Sequence, residues 1–126
     1  MEFKQLIVYQ KALFLYTELD TKVLLIKDLD RNLKDQLRKA AISIILNIAE
    51  NSSRYSNADR KNIFVISRGS AFECSAVLDI IHCSTKNKFP EIESVLEEIS
   101  KMLFTMISTL RLQGIDKQKI RPKTNS

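Results

Sequence analysis

The side chains that could do chemistry in this sequence are few and unsuitably spaced. His82 is the single histidine, and it stands next to Cys83 and eight residues after Cys74. Three ligands at this spacing, with no Cys-x-x-Cys pair, do not fit a zinc site. A catalytic pair of His82 and Cys83 fails as well, because adjacent residues on a helix do not face each other. The sequence therefore predicts no metal, no cofactor and no enzyme activity.

Two polar side chains fall within apolar surroundings and need partners there. Asn47 lies inside the apolar stretch 42–49, and Glu73 falls on the inner stripe of a predicted helix. A buried carboxylate is costly unless it is paired, so Arg38 or Asn47 is the expected partner of Glu73. We interpret Asn47 and Glu73 as a structural polar network. A catalytic acid is the alternative, and it is disfavoured because no second catalytic group accompanies Glu73.

Positive charge is concentrated in the middle of the chain and at its end. The formal net charge is +5, yet residues 31–68 alone carry eight basic residues against three acidic ones. Residues 115–126 add four basic residues against one acidic residue. This distribution suits a surface that meets an anion such as a nucleic-acid backbone. The alternative is a solvated charged face with a loose basic end.

Length and composition indicate one helical domain. The chain has 126 residues, of which 44% are hydrophobic and 28% charged, and these values fit one domain with its own core. Two glycines and two prolines favour long helices over hairpins. We find no apolar run of membrane-spanning length and no signal peptide, and we interpret the two cysteines as reduced thiols. The prediction is a cytoplasmic protein without a membrane partner.

Four amphipathic segments predict an all-α, up-down-up-down antiparallel four-helix bundle. Their approximate bounds are 4–26, 30–51, 56–85 and 90–113. The last segment carries a seam with alternating four- and three-residue spacing, which is typical of bundle packing. Its members are Ile92, Leu96, Ile99, Leu103, Met106 and Leu110.

Helix-end signals divide the chain further. Asp28 or Asp30 is expected to cap the second helix and Ser56 the third, because their side chains can accept bonds from unpaired amides. Gly114 is placed to end the fourth helix. The predicted domains are therefore a four-helix bundle over residues 1–114 and a basic, flexible tail over residues 115–126.

Two helices carry features that predict close packing, and the feature of the second helix also predicts contact with a second chain. Between Ala40 and Ala49 only Ser43 and Asn47 are polar, which predicts a helix buried on several sides. Gly69 stands in mid-helix, where it costs about 1 kcal/mol relative to alanine. Close approach of another backbone is the usual compensation. One apolar side of the second helix is expected to meet another subunit, because a domain of this size is too small to cover every side.

Three separated motifs occur in one order along the chain. They are VYQKA at 8–12, QLRKAAISIILNIAENSSRYS at 36–56 and GSAFE at 69–73. Together they resemble the 23S rRNA-intervening-sequence proteins, whose approximate patterns are V-W-Q-K-A, Q-L-R-R-A-A-x-S-I-x-x-N-I-A-E-G and G-S-A-x-E. The resemblance covers about residues 6–112. It departs at Tyr9, Ile45 and Asn51, where the family has tryptophan, proline and glycine.

This resemblance implies an assembly and a partner. Family members look like up-down-up-down bundles that form homopentameric barrels, and some are encoded within insertions in large-subunit rRNA genes. A related branch is the accessory variability proteins of diversity-generating retroelements, which associate with a reverse transcriptase and bind nucleic acid through a basic surface. The resemblance implies a similar surface here, formed by Lys34, Arg38, Lys39, Arg54, Arg60, Lys61 and Arg68.

Three functions follow as hypotheses. The leading one is a non-enzymatic, oligomeric accessory protein that binds RNA or DNA through its basic surface, with a reverse transcriptase or ribosomal RNA as partner. The second is a protein–protein adaptor whose basic surface docks an acidic partner. The third is a self-assembling structural protein with no nucleic-acid role.

Overall fold

Four α-helices build the described part of this protein. The computed structural model describes the backbone of residues 1–120 and the side chains of residues 1–114. A short 3-10 helix at Glu2–Gln5 precedes the α-helices, and no strand occurs within the described backbone. The predicted all-α class is confirmed. The α-helices are α1 (Ile7–Lys22), α2 (Arg31–Asn51), α3 (Asn57–Thr85) and α4 (Pro90–Ile120).

The helices pack side by side as a four-membered bundle. Helix α1 contacts α2 and α4, and α3 contacts the same two helices. Contacts between named side chains show the reversal of direction that antiparallel packing requires. Ser43 of α2 meets Ser70 of α3, whereas the later Asn51 meets the earlier Arg60. The same reversal joins α1 to α4 through the ion pairs Lys11–Glu98 and Lys22–Glu91.

Aliphatic side chains from all four helices fill the interior. Burying each such side chain fully contributes about 1.5–3 kcal/mol. The seam predicted on α4 is confirmed, because five of its members are buried and Met106 is half-buried. The largest fully buried side chains include Leu15, Leu19, Leu37, Ile44, Ile48, Ile81, Ile99 and Leu103.

Two predicted caps hold the starts of α2 and α3. The Asp30 carboxylate accepts hydrogen bonds from the backbone amides of Asn32 and Leu33, at 2.7 and 3.2 Å. The Ser56 hydroxyl accepts one from the amide of Asp59 at 3.1 Å. Each bond satisfies an amide that the first helical turn leaves unpaired.

Helix α1 is shorter than the apolar pattern predicts. The backbone is extended at Leu6, which separates the 3-10 helix from α1. At the other end Val23 and Leu24 are buried, and the Leu24 amide bonds to the Leu19 carbonyl at 2.9 Å. Because Val23 and Leu24 pack into the core, the chain leaves the axis of α1 at this point. The α1–α2 connection therefore begins before Ile26.

Helix α4 continues beyond its predicted end. It passes through Gly114 to Ile120, and no glycine in the described backbone has a positive φ. Gly114 therefore has helical geometry and does not terminate the helix. The side chains of residues 115–120 and all of residues 121–126 lie outside the described part. The predicted basic tail falls there and stays a prediction.

Gly69 has open space beside it. A Cβ built on this residue would meet no described heavy atom within 4 Å outside its own helix. The predicted close approach of another backbone is therefore wrong within the chain, although Ser70 and Ala71 next to it are buried. None of the described helices has both the length and the apolar composition needed to cross a bilayer.

Candidate nucleic-acid interface

A polar network joins the middles of α2 and α3. The Asn47 side-chain amide donates to the carbonyl of Ser43 at 2.8 Å and to its hydroxyl at 3.1 Å. The Ser43 and Ser70 hydroxyls lie 2.8 Å apart, and Ser70 also donates to the carbonyl of Ile66. The hydrogen bond between Ser43 and Ser70 can form at only one register of α2 against α3. Asn47 therefore belongs to a polar network whose partners are serines, whereas the predicted network paired it with Glu73.

Glu73 does not belong to this network. Its side chain is exposed, and Arg38, its predicted partner, lies 3.5 Å from the Asp35 carboxylate instead. The prediction of a buried Glu73 paired with Arg38 or Asn47 is wrong. Solvent hydrates a carboxylate at an exposed position, so Glu73 needs no charged partner there.

The seven basic residues predicted for the interface do not form one patch on a single chain. Lys34, Arg38 and Lys39 lie in the first half of α2, whereas the others lie near the α2–α3 connection or within α3. Lys34 and Asn51 are about 26 Å apart along α2, at a rise of 1.5 Å per residue. The basic residues therefore divide into separate groups with different surroundings.

The α2–α3 connection holds its basic side chains against its own structure. Asn51 is buried, and its amide donates to the carbonyl of Arg60 at 2.6 Å. The Arg60 guanidinium donates back to the Asn51 side-chain carbonyl at 3.3 Å. Arg54 forms an ion pair with Glu50 one turn earlier. Lys61, the remaining basic residue near this connection, is half-buried and forms no ion pair with the described residues.

Arg68 is also engaged within the bundle. Its Nε donates to the carbonyl of Ser100 on α4 at 3.2 Å. Its guanidinium carbon lies 4.7 Å from the ring centre of Phe72 and 5.2 Å from that of Phe104. Cations are attracted to aromatic faces at such distances. Arg68 therefore links α3 to α4 and covers two partly exposed rings.

A basic pocket lies beside the α1–α2 connection. It has a volume of about 710 Å³ and contains two of the seven predicted residues, Lys34 and Arg38. Lys27 from the connection and Arg31 from the start of α2 complete its basic side chains. We call this feature the α1–α2 pocket. Its lining residues are Leu24, Lys27, Leu29, Arg31, Lys34, Asp35 and Arg38.

Lys27 and Arg31 are missing from the sequence-based set of interface residues. A signal was present for Arg31, because Arg31, Lys34 and Arg38 follow one another at three- and four-residue steps and so share one face of a helix. Lys39 of the predicted set is exposed on α2 but does not line the pocket.

A groove of opposite charge lies between α3 and α4. It has a volume of about 480 Å³, and Asp79, Glu93 and Glu97 line it together with apolar side chains such as Phe72. Burial raises the pKa of Glu93, while a hydrogen bond from the Ser75 hydroxyl, at 3.0 Å, opposes the rise. An anion would be repelled here, so this face is unsuited to a phosphate backbone.

Both cysteines are free thiols. Cys74 is buried and Cys83 exposed, and they form no disulfide. Burial, assisted by the negative charges of Glu73 and Glu93, raises the pKa of the Cys74 thiol to about 12. Nucleophilic chemistry needs the thiolate. His82 is half-buried near the end of α3, where Nδ1 lies 3.1 Å from the Asn87 carbonyl.

Comparisons with known proteins agree with this architecture. A solved structure from Bacteroides thetaiotaomicron, of a protein with unknown function from the S23 ribosomal protein family, superposes with a TM-score of 0.73. The two chains are 24% identical, and the match covers 80% of this chain and 98% of the other. Among curated proteins none matches the sequence. A family model described as 23S rRNA-intervening sequence protein matches residues 4–105, and this chain therefore belongs to that family.

Proposed function

We propose that this protein is a non-enzymatic accessory protein that assembles with copies of itself and binds RNA or DNA through a basic surface. The observation that carries the proposal is the α1–α2 pocket, where four cationic side chains face one carboxylate. Cations gathered around one cleft attract phosphates more strongly than the same cations spread over a flat surface. The family's association with rRNA genes supports the same partner class.

Self-assembly would repeat this pocket and multiply its effect. Large apolar side chains remain exposed on all four helices, among them Leu46 at 60%, Phe72 at 55% and Phe104 at 55%. Exposed apolar surface of this kind is typical of a contact with another protein. A homopentamer, as the family resemblance implies, would present five pockets, and several modest contacts on one strand raise affinity through effective concentration.

Ribosomal RNA and the complex of a reverse transcriptase with its template are the two partners that the resemblance suggests. Both present a phosphate backbone, so both are compatible with the pocket. Contact would be mainly with phosphates, which gives weak sequence preference and steep salt dependence.

The test measures binding and assembly on the full chain. Fluorescence anisotropy with a generic duplex is recorded at 50 and 200 mM salt. For about four phosphate contacts, affinity should fall roughly 100-fold between these conditions. Replacing Lys34 and Arg38 by glutamine should weaken binding and flatten the salt dependence. Light scattering on the same samples gives the subunit number.

A matched control keeps the number of removed charges equal. Lys88 and Lys101 are exposed and lie outside the α1–α2 pocket, so the double change to glutamine at these positions should leave affinity close to that of the unchanged protein. Equal losses of affinity in the two double variants would show that the α1–α2 pocket is not the binding site. No binding at 50 mM salt would reject the nucleic-acid role.

One observation favours an adaptor of another kind, which binds a basic partner through an acidic groove rather than an acidic partner through the basic surface. The acidic groove between α3 and α4 lies beside the exposed rings of Phe72 and Phe104, a combination that suits a basic, apolar protein segment. An adaptor would retain its protein partner when the α1–α2 pocket is neutralised, whereas the proposed nucleic-acid complex would dissociate.

A further inference from the structure

The α1–α2 pocket is concave, and its lining combines charged side chains with two nearly buried leucines. Leu24 and Leu29 are 7% and 6% exposed, and they line the pocket together with the basic side chains. Arg31, Lys34 and Arg38 lie on one face of α2, and Lys27 approaches from the connection. Charge therefore reaches the pocket from two chain segments rather than along a single row.

Most nearby carboxylates are turned away from the pocket or already engaged. Asp35 is the one carboxylate among the described lining residues, and it lies 3.5 Å from Arg38. Asp28 and Asp30 line a different pocket, on the side of α3. The lining thus carries a net charge of +3. This surplus would attract an anion, and most strongly one that carries more than one negative charge.

The start of α2 does not supply the binding groups. Asp30 already accepts hydrogen bonds from the amides of Asn32 and Leu33. An anion in the pocket would therefore be held by side chains alone. Arginine offers paired donors to two phosphate oxygens, and lysine acts as a compact charge.

Charge and shape together select one kind of phosphate. A backbone phosphodiester carries one negative charge and lies along the outside of a strand. A phosphate monoester carries about 1.5–2 negative charges at pH 7 and offers three acceptor oxygens. It also stands at a strand end, where it can enter a concave site. We propose that the α1–α2 pocket binds the terminal phosphate monoester of a nucleic-acid strand, an inference that rests on the proposed nucleic-acid role.

The experiment compares three versions of one short single-stranded oligonucleotide, bearing a 5′-phosphate, a 3′-phosphate or hydroxyls at both ends. Affinity for the full chain is measured by anisotropy at 50 mM salt. Charge-assisted hydrogen bonds predict about tenfold tighter binding of at least one phosphorylated strand. The preference should disappear when Lys27 and Arg31 are both replaced by glutamine.

The matched control changes both Lys88 and Lys101 to glutamine, which removes two exposed cations outside the pocket. It should retain the preference for the phosphorylated end. Circular dichroism and the urea midpoint check that each variant keeps its fold. Both substituted residues of the double variant are exposed, so the fold is expected to persist.

The outcomes separate this inference from the broader function. Equal affinity for all three oligonucleotides would overturn the terminal-phosphate site and leave the nucleic-acid role standing. No binding of any oligonucleotide would overturn both. A nucleoside monophosphate that binds as tightly as the phosphorylated strand would also overturn it, because the site would then serve a free nucleotide.

Discussion

The α1–α2 pocket and the α2–α3 connection are both rich in basic residues, but they use them differently. At the α2–α3 connection Arg54 pairs with Glu50, and Arg60 bonds to Asn51. In the pocket, Lys27, Arg31 and Lys34 have no ion pair among the described residues. The number of basic residues in a region therefore does not measure the positive charge available to a ligand, because some of those residues are already bound within the chain.

The difference has a structural cause in the two connections. The α2–α3 connection is short, and polar bonds between the helix ends hold it in place. The α1–α2 connection is longer, and the buried Leu24 and Leu29 anchor it to the core. Apolar anchoring needs no cation. Lys27 and Arg31 of the pocket are therefore left exposed to solvent.

The largest expected effect on stability comes from Asn51→Ala. Asn51 is 2% exposed and makes two hydrogen bonds with Arg60. Removing a buried partner costs about 1–3 kcal/mol of the free energy of unfolding. Urea denaturation at one protein concentration measures this. Arg31→Gln in the pocket is the control and should change it by less than about 0.5 kcal/mol. Equal effects would remove the distinction between the two regions.

Arg60→Gln should have an intermediate effect. It removes one hydrogen bond, worth about 0.5–1.5 kcal/mol, and leaves the bond from Asn51 to the carbonyl of residue 60 in place. The same urea measurement applies. In combination with Asn51→Ala the losses should be smaller than their sum, because both changes remove one contact. Fully additive losses would show that the two side chains act independently.

The smallest effect is expected for Arg54→Ala. Its ion pair with Glu50 spans one helical turn on an exposed surface, where such pairs contribute about 0.3–0.5 kcal/mol. Urea midpoints at low and high salt should show the loss at low salt only, because salt screens exposed charges. Glu50→Ala should give a similar change. A loss that persists at high salt would indicate a packing role for the arginine side chain.

Periodicity and end signals in the sequence predict the fold well, because they depend on neighbouring residues. The Asp30 and Ser56 caps and the α4 seam are examples. The candidate site was predicted only in part, because it depends on contacts between segments. Helical spacing predicts Glu73 on the inner side of α3, yet Glu73 is exposed while Ser70 and Val77, three residues before it and four after it, are buried.

The end of α1 and the pocket show the same limit. Apolar periodicity continues through Ile26, but burial of Val23 and Leu24 turns the chain earlier. That turn brings Lys27 towards Arg31 and Lys34. No local sequence pattern predicts this proximity, so Lys27 could be assigned to the pocket only from the structure.

Gly69 offers a way to separate folding from association. Since a Cβ there would meet open space within the described chain, Gly69→Ala should raise the free energy of unfolding by about 0.4–1 kcal/mol. If the proposed assembly brings a second backbone to this position, the added methyl group would instead obstruct the interface. The variant would then unfold at higher urea while its oligomer dissociates at higher protein concentration. The added methyl group would thus stabilise the folded chain and weaken the oligomer, and this combination would indicate that Gly69 lies in the subunit interface.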